Sequence, residues 1–326
     1  MTNAVLGIDV SKATLDVALL NGRSYHHIFD NTEKGFEELE MWLEKHQAKA
    51  SHVCLEATGQ YGFPVAKHLY RQGYPVSVVN PFRIKAYRKT GLVRNKTDKM
   101  DAFVIADFCK RQQPDLWRPP EPCYAELRAL TRHLDSLKDM RQQERNRSKA
   151  GITSNFVLQM IAEHIAQLEQ GIEKIKGEIQ RFIASHPQLQ YQKDLLVSIL
   201  GIADLSAANL LAEIQDISRF ENVKQLDAYA GIAPEQHSSG SSVHGKSRMS
   251  KVGNVYLRKN LYMPALVAKR YNPIVKAFCA RLEERKKPPM VILGAAMRKL
   301  LHIIYGVLKN GQPFDPDYLL KATQKA

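Results

Sequence analysis

The stretch AVLGIDVSKATLDVALLNGRSYHHIF (residues 4–29) decides the fold of the first third of this chain. It reads as three short strands: Val5 to Val10, Thr14 to Leu20 and Ser24 to Phe29. Asn21-Gly22 sits between the second and third, and this dipeptide suits a type I′ hairpin turn because both positions need positive φ. Beyond it, Phe36, Leu39, Trp42 and Leu43 fall on one helical stripe. A strand His52 to Glu56, a helix around Val65 to Tyr70 and a strand Pro75 to Val79 follow. Antiparallel hairpins followed by β-α-β units predict an α/β fold, a mixed sheet with helices on its faces. Thr97-Asp98 opens a further helix to Arg111, with Asp98 at or near its N-cap. Prolines at 114, 119, 120 and 122 mark a break, and a helix rich in Arg and Gln runs from about Tyr124 to Lys149.

The remainder reads as all-α. Ile161, Ile165, Leu168, Ile172, Ile175, Ile179 and Phe182 are spaced 4, 3, 4, 3, 4, 3, an a/d seam over three heptads that ends at Ser185-His186-Pro187. Such a seam packs between protomers, between the arms of a helical hairpin, or on its own domain. Leu195 to Leu200, Gly201-Ile202 and Leu205 to Ile214 resemble a helix-hairpin-helix, whose backbone N–H groups face a DNA phosphate; any tight helix pair with a glycine turn looks similar. A low-complexity loop, EQHSSGSSVHGKSRMSKVGN, follows Pro234, and helices begin near Val255, Pro273 and Pro289. The expected domains are 1–150 (sheet), 151–187 (coiled coil) and 188–326 (helical).

Composition narrows the function classes. Of 326 residues, 44% are hydrophobic and 25% charged, as in soluble globular proteins. Mean hydropathy is −0.34, and no run of 18 apolar residues argues for a membrane span. The first residues lead straight into a strand, with no basic and apolar leader. Cys54, Cys109, Cys123 and Cys279 lie far apart, which argues against a disulfide framework or a cysteine zinc site. The expected location is therefore a reducing cytoplasm. Lys plus Arg number 47 against 33 acids, a net +14. Between Ser241 and Leu300 there are 14 basic residues and 2 acids, so this fifth of the chain carries +12. A basic face of this kind suits nucleic acid above other polyanions, with an anionic lipid patch or a solvated surface as alternatives.

Four acids stand at element ends of the sheet domain. Asp9 interrupts the apolar strand VLGIDV, Glu56 ends the strand HVCLE, and Asp98 and Asp101 share a helix face in NKTDKMDA. An acid in a core strand is costly unless paired or bound to a cation. Singly, each has a plain explanation as a cap, a turn residue or a salt-bridge partner. Together they predict one metal-sized cluster, and oxygen-only ligation favours Mg²⁺ or Mn²⁺ over zinc. Two such ions about 3.5–4 Å apart activate a nucleophile and stabilise a leaving oxygen at phosphate. Asp16, Asp107 and Glu38 lack this placement and read as surface or salt-bridge groups.

The segments GIDVSK, LEATGQY, RNKTDKMDA and PEQHSSGSSVHGKSRMSKVGN, in this order, resemble the DEDD transposases of bacterial insertion sequences, the group related to the pilin-gene invertase. The resemblance covers nearly the whole chain. It implies an N-terminal domain like the RuvC resolvase, with a ribonuclease-H-like fold, then a coiled coil and a helical transposase domain. It carries the four catalytic, metal-binding acids onto Asp9, Glu56, Asp98 and Asp101. The family's C-terminal motif, roughly P-x-x-Y-x-S-G followed by S-K-x-G-N, places the catalytic serine at Ser239. His237 stands at the usual aromatic position, and Ser238, Ser241 and Ser242 crowd the motif serine.

The resemblance further implies donor and target DNA, a noncoding guide RNA from the element that bridges them, and a homo-oligomeric assembly, dimer or tetramer. Lys246, Arg248, Lys251, Arg258 and Lys259 are the expected phosphate-binding residues. A serine hydroxyl needs a base, a metal or a charged neighbourhood to attack phosphorus, and without the resemblance the loop reads equally as a flexible Ser/Gly linker. About 140 residues separate Asp101 from Ser239, and the three-heptad helix alone spans about 33 Å. This spacing predicts that Ser239 works with the acids of another protomer, or after nucleic acid binds. The rival readings are a Mg-dependent Holliday-junction-type nuclease without covalent serine chemistry, a non-catalytic nucleic-acid scaffold, and an actin-like phosphotransferase, for which no phosphate loops are found.

Overall fold

The computed structural model describes residues 4–57, 61–90, 97–235, 238–239, 243–244 and 248–317. The chain divides into two compact units, Met1–Pro119 and Pro120–Ala326.

The first unit is built on a five-stranded sheet. Strands β1 (Val5–Val10), β2 (Thr14–Asn21) and β3 (Arg23–Asp30) are antiparallel, and β4 (His52–Glu56) and β5 (Val76–Val79) add in parallel, giving the order β3-β2-β1-β4-β5. This mixed sheet is the ribonuclease-H-like arrangement expected of the sequence. The β2–β3 reversal turns at Gly22 alone (φ 68), with Asn21 paired to Arg23. Asn21 is not among the residues at positive φ, so the expected type I′ pair does not form. Its side chain instead donates to the His46 carbonyl at 2.9 Å.

Strand alternation sorts the side chains onto two faces. Leu6 and Ile8 of β1, Leu15 and Val17 of β2 and Val53 and Leu55 of β4 pack beneath helices α1 (Glu33–Lys45) and α2 (Gly62–Arg71). The opposite face takes α4 (Asp98–Gln112), after a short α3 (Pro81–Thr90) that hydrophobic periodicity did not signal. The N-cap of α4 is Thr97, whose hydroxyl accepts from the Met100 N–H at 3.3 Å; Asp98, expected at or near the cap, is the first helical residue. Helix α4 sits unusually close to the sheet. A Cβ on Gly7 would stand 2.3 Å from Ala102 O and Ala106 N, and Ala18, Ala102 and Ala106 form a small-residue cluster there.

The second unit is helical. Helix α5 (Pro122–Ser148) and α6 (Asn155–Ala184) form an antiparallel hairpin, with Pro122 at the N-terminal position that tolerates its missing N–H. Ile161, Leu168, Ile172, Ile179 and Ile183 are buried, and Leu127 and Leu134 of α5 share a core with Ile172, Ile179 and Ile183. Arg145 reaches Glu169 across the pair at 2.6 Å. The heptad seam thus closes on a helix of its own chain. Helices α7 (Pro187–Val197) and α8 (Asp204–Ile214) make the expected helix pair. Gly201 (φ 112) turns between them, where a Cβ would lie 2.9 Å from the backbone of Ala268. Helix α9 (Val223–Ala230) precedes the serine loop, and α10 (Val255–Tyr271), α11 (Pro273–Glu284) and α12 (Pro289–Asn310) complete the unit.

By length and composition α12 passes as a membrane span (hydropathy 1.6), contrary to the sequence reading that none exists. Its Ile292, Ala296, Leu300 and Ile304 belong to the core of this unit.

Candidate active site

The strand register aligns the acids of the sheet unit. Asp9 pairs directly with Asp16 of β2, and the Ile8–Leu55 register puts Glu56 beside Asp9 on the other side. Asp9, Asp16 and Glu56 alternate with residues of the opposite core, so they share the face that α4 covers. Two residues along a strand advance about 6.6 Å, and one helical turn about 5.4 Å. Gly7 touches Ala102 and Ala106, so the same step carries β1 to Asp9 and brings α4 back to its first turn, where Asp98 and Asp101 stand. The packing glycine of GIDV thereby sets the aspartate of GIDV against the helix N-terminus.

The electrostatics follow from this placement. Burial, and then repulsion from Asp98, Glu56 and Asp16, raises the Asp9 carboxyl above its ordinary range, against a lowering backbone hydrogen bond from Val10. Asp16 is buried and bonded to His26 at 3.0 Å, a partner that alternation alone did not reveal. Asp101 makes a tight ion pair with Arg88 of α3. Glu56 is half-buried and Asp98 exposed. Among the described residues, no three His, Cys, Asp or Glu side chains are grouped so as to hold a metal ion. The donors are nonetheless all carboxylates, set by a helix N-terminus and repelling one another, which is the chemistry of a hard divalent cation.

The serine loop is a two-step hairpin, where the sequence suggested low-complexity chain. Strand β6 (Pro234–Glu235) pairs with β9 (Arg248–Met249), and β7 (Ser238–Ser239) with β8 (Val243–His244), Ser239 opposite Val243. His237, Ser241, Ser242 and Lys246 lie outside the described residues. Arg248 and Lys251 are exposed, and Lys251 takes a left-handed φ of 57°. Arg258 donates to the Ala230 carbonyl at 3.0 Å, and burial pulls its guanidinium below the usual range. Lys259 faces Asp139 at 3.4 Å and Asp135 at 3.5 Å.

The stems of this loop meet on a buried acid that sequence reasoning missed. Glu213, 1% exposed at the end of α8, accepts Arg132 Nε at 2.9 Å, Arg132 Nη2 at 3.1 Å and Asn254 Nδ2 at 2.7 Å. Tyr229 accepts from Asn254 Nδ2 at 3.1 Å and donates to the Glu213 carbonyl at 3.2 Å. The available signal was an acid closing an apolar helix, LSAANLLAEI, the same anomaly that singled out Asp9. Asp227, also 1% exposed, accepts Arg298 at 2.7 Å and bonds His302 at 2.9 Å.

Comparisons with known proteins agree with the motif order. Residues 6–157 match the DEDD_Tnp_IS110 family, described as a transposase, and residues 193–280 match the transposase IS116/IS110/IS902 family. The pilin gene-inverting protein of Moraxella lacunata is 35% identical over 97% of this chain and 98% of its own. The transposase for insertion sequence element IS1111A of Coxiella burnetii is 25% identical over 64% of each chain. The T. thermophilus RuvC structure in complex with a Holliday junction substrate covers 34% of this chain and 96% of its own at 14% identity; its TM-score of 0.26 is too low to carry weight beside the strand order. Full-length identity to an invertase and both family matches place the chain without ambiguity: it belongs to the IS116/IS110/IS902 transposase family, enzymes of DNA recombination.

Proposed function

We propose that this transposase cuts and rejoins DNA strands through Ser239, with a Mg²⁺ or Mn²⁺ site formed by Asp9, Glu56, Asp98 and Asp101. The observation that supports it most is the row Asp16-Asp9-Glu56 facing the first turn of α4, where burial and then repulsion raise the Asp9 carboxyl. Residues that repel one another in the protein alone are those a cation would draw together. Asp9 and Glu56 would hold it from the sheet, Asp98 and Asp101 from the helix, with Arg88 the protein's own cation on Asp101. When bound, the ion supplies Lewis-acid stabilisation of charge at phosphate.

The serine step is a transesterification. Ser239 Oγ forms a bond to phosphorus as the bond to the departing sugar oxygen breaks; the hydroxyl proton leaves to solvent and the alkoxide takes one up. The phosphoserine link conserves the bond, and reversal by another sugar hydroxyl rejoins the strand. Exposed Arg248 and Lys251 flank the hairpin and suit phosphate contact. The +12 segment and the family resemblance support an element-encoded guide RNA as a second nucleic acid.

A suicide DNA substrate tests the core of this reading. Wild-type protein with Mg²⁺ is expected to give a covalent protein–DNA adduct that Ser239→Ala abolishes and Ser238→Ala retains. Cleavage without adduct would establish a water-using junction nuclease, and salt-dependent binding without cleavage a scaffold. Sequencing RNA that copurifies with the protein tests the guide. Mixing Ser239→Ala with Asp9→Asn protein tests a site shared between protomers, because mixed oligomers regain one intact pairing.

A further inference from the structure

The motif S-K-V-G-N ends at Gly253-Asn254, and neither residue has a role in the chemistry above. Both act at the base of the serine hairpin. Among the described residues its two ladders have two residue pairs each, too few to hold an orientation unaided. Its stems, however, are tied together at Tyr229–Ala233 and Ser250–Asn254. Ser250 N donates to Ala233 O at 3.0 Å, Lys251 N to Gly231 O at 3.0 Å, and Asn254 N to Tyr229 O at 2.7 Å. Gly253 runs so close to the first stem that a Cβ would stand 2.5 Å from Gly231 N and from Tyr229 O.

Asn254 then joins three elements with one side chain. Its Oδ1 accepts from Leu257 N at 3.0 Å and caps α10, while its Nδ2 donates to Glu213 and to Tyr229. Arg132, bidentate on Glu213 and 4.1 Å from the centre of the Tyr256 ring, extends the tie to α5. A carboxylate–guanidinium pair on a buried acid adds little stability, since apolar side chains of similar volume often do as well; what this one joins is three helices and the second stem of the hairpin.

We propose that Glu213, Arg132, Tyr229 and Asn254 are positioning residues of the transposition reaction, a clamp around the buried Glu213 carboxylate that holds the two stems of the Ser239 hairpin in one register. The role rests on the reading that this hairpin carries the nucleophile. The clamp touches neither DNA nor reacting atoms. It acts by keeping the hairpin's approach to phosphate fixed, so its loss lowers the rate on bound DNA and leaves binding intact.

Asn254→Ser is the sharpest test, because serine still caps α10 but is too short to reach Glu213. Compared with wild type, amide exchange at 232–252 and the cleavage rate at saturating DNA are both expected to change by about tenfold or more, the worth of a lost hydrogen bond to a charged group. Melting temperature falls by several degrees without loss of the folded state, and DNA affinity stays near wild type. Tyr229→Phe shifts exchange and rate the same way by less. The exchanged pair Glu213→Gln with Asn254→Asp restores donor and acceptor in reverse and recovers loop protection relative to Asn254→Asp alone.

Wild-type exchange and rate in Asn254→Ser overturn the proposal. So does a looser loop with an unchanged rate, or a rate loss matched by lost DNA affinity. If Asn254→Ser fails to fold, Tyr229→Phe and the exchanged pair decide by the same readouts. An absent wild-type adduct removes the reading on which the clamp's role rests, whereas a wild-type adduct with unchanged exchange and rate in Asn254→Ser removes the clamp alone.

Discussion

Acids in the two units are treated in opposite ways. In the helical unit Glu213 and Asp227 are almost wholly buried, and each is met by a guanidinium at hydrogen-bond distance plus a second polar partner. In the sheet unit Asp9 is only half-buried, yet its neighbours across the strands and on α4 are other acids, and its carboxyl is raised. Glu213, both oxygens of which accept from the protein's own donors, is structural, and Asp227 is tied at Oδ2 by Arg298 and His302 while its buried Oδ1 has no hydrogen-bond partner. A carboxylate set among acids is held against its own electrostatics by packing, here by Gly7 beneath α4, and under the proposed function a cation from outside would relieve it.

The largest expected effect follows from this contrast. Asp9→Asn retains shape and removes ligand charge, so cleavage is expected to fall by about a thousandfold or more, several kcal/mol of lost transition-state stabilisation. Folding is retained. Asp227→Asn should do the reverse, weakening the fold while cleavage persists. Single-turnover cleavage and urea unfolding on the same preparations compare them; equal activity loss in both would erase the distinction. In the helical unit, Arg132→Met leaves Glu213 buried with one amide donor and a distant Arg128 at 3.9 Å. A loss of about 3 kcal/mol is expected from the stranded charge, read as a lower urea midpoint at unchanged slope. A smaller loss, about 1–3 kcal/mol, is expected for Gly7→Ala, whose methyl must push α4 off the strand. Because that movement also displaces Asp98, activity falls by more than the stability change alone accounts for.

How far the sequence carried this picture differs between the units for the same physical reason. Strand alternation and the β-α-β order foretold the sheet, because each face of each strand is repeated locally in the chain. Asp9, beside which the strand register sets Glu56, was legible because a charge interrupting an apolar strand is conspicuous. The Asp16–His26 pair, the Asp101–Arg88 pair and the Glu213 clamp were not, since each joins residues that only the folded chain brings together. Heptad spacing announced a seam in α6 but not its partner; Leu127 and Leu134 of α5 lie in a helix whose Arg- and Gln-rich surface dilutes the pattern. The serine hairpin hid behind a composition of Ser, Gly and His that signals coil, and only its pairing across Ser239 and Val243 reveals strands.

The smallest effect separates repulsion from ligation most cleanly. A carboxyl raised in the folded state binds its proton more tightly there than when unfolded, so its contribution to stability is present at low pH and lost as pH rises from 3.8, its ordinary value, through the raised one. Asp9→Asn cannot titrate. In metal-free buffer the variant should therefore melt above wild type at neutral pH, and the gap should shrink as pH falls towards 3.8. With the carboxyl half-exposed and screened, it corresponds to less than about 1 kcal/mol. Burial first, then Asp98, Glu56 and Asp16 (itself bonded to His26), raise the Asp9 carboxyl. Millimolar Mg²⁺ or Mn²⁺ should then reverse the order, because a ligand bound only by the folded wild type stabilises it as its concentration passes the dissociation constant. A gap that keeps its sign on adding the ion would mean that the acids repel without ligating. A gap absent at neutral pH would mean that their repulsion is already relieved within the protein.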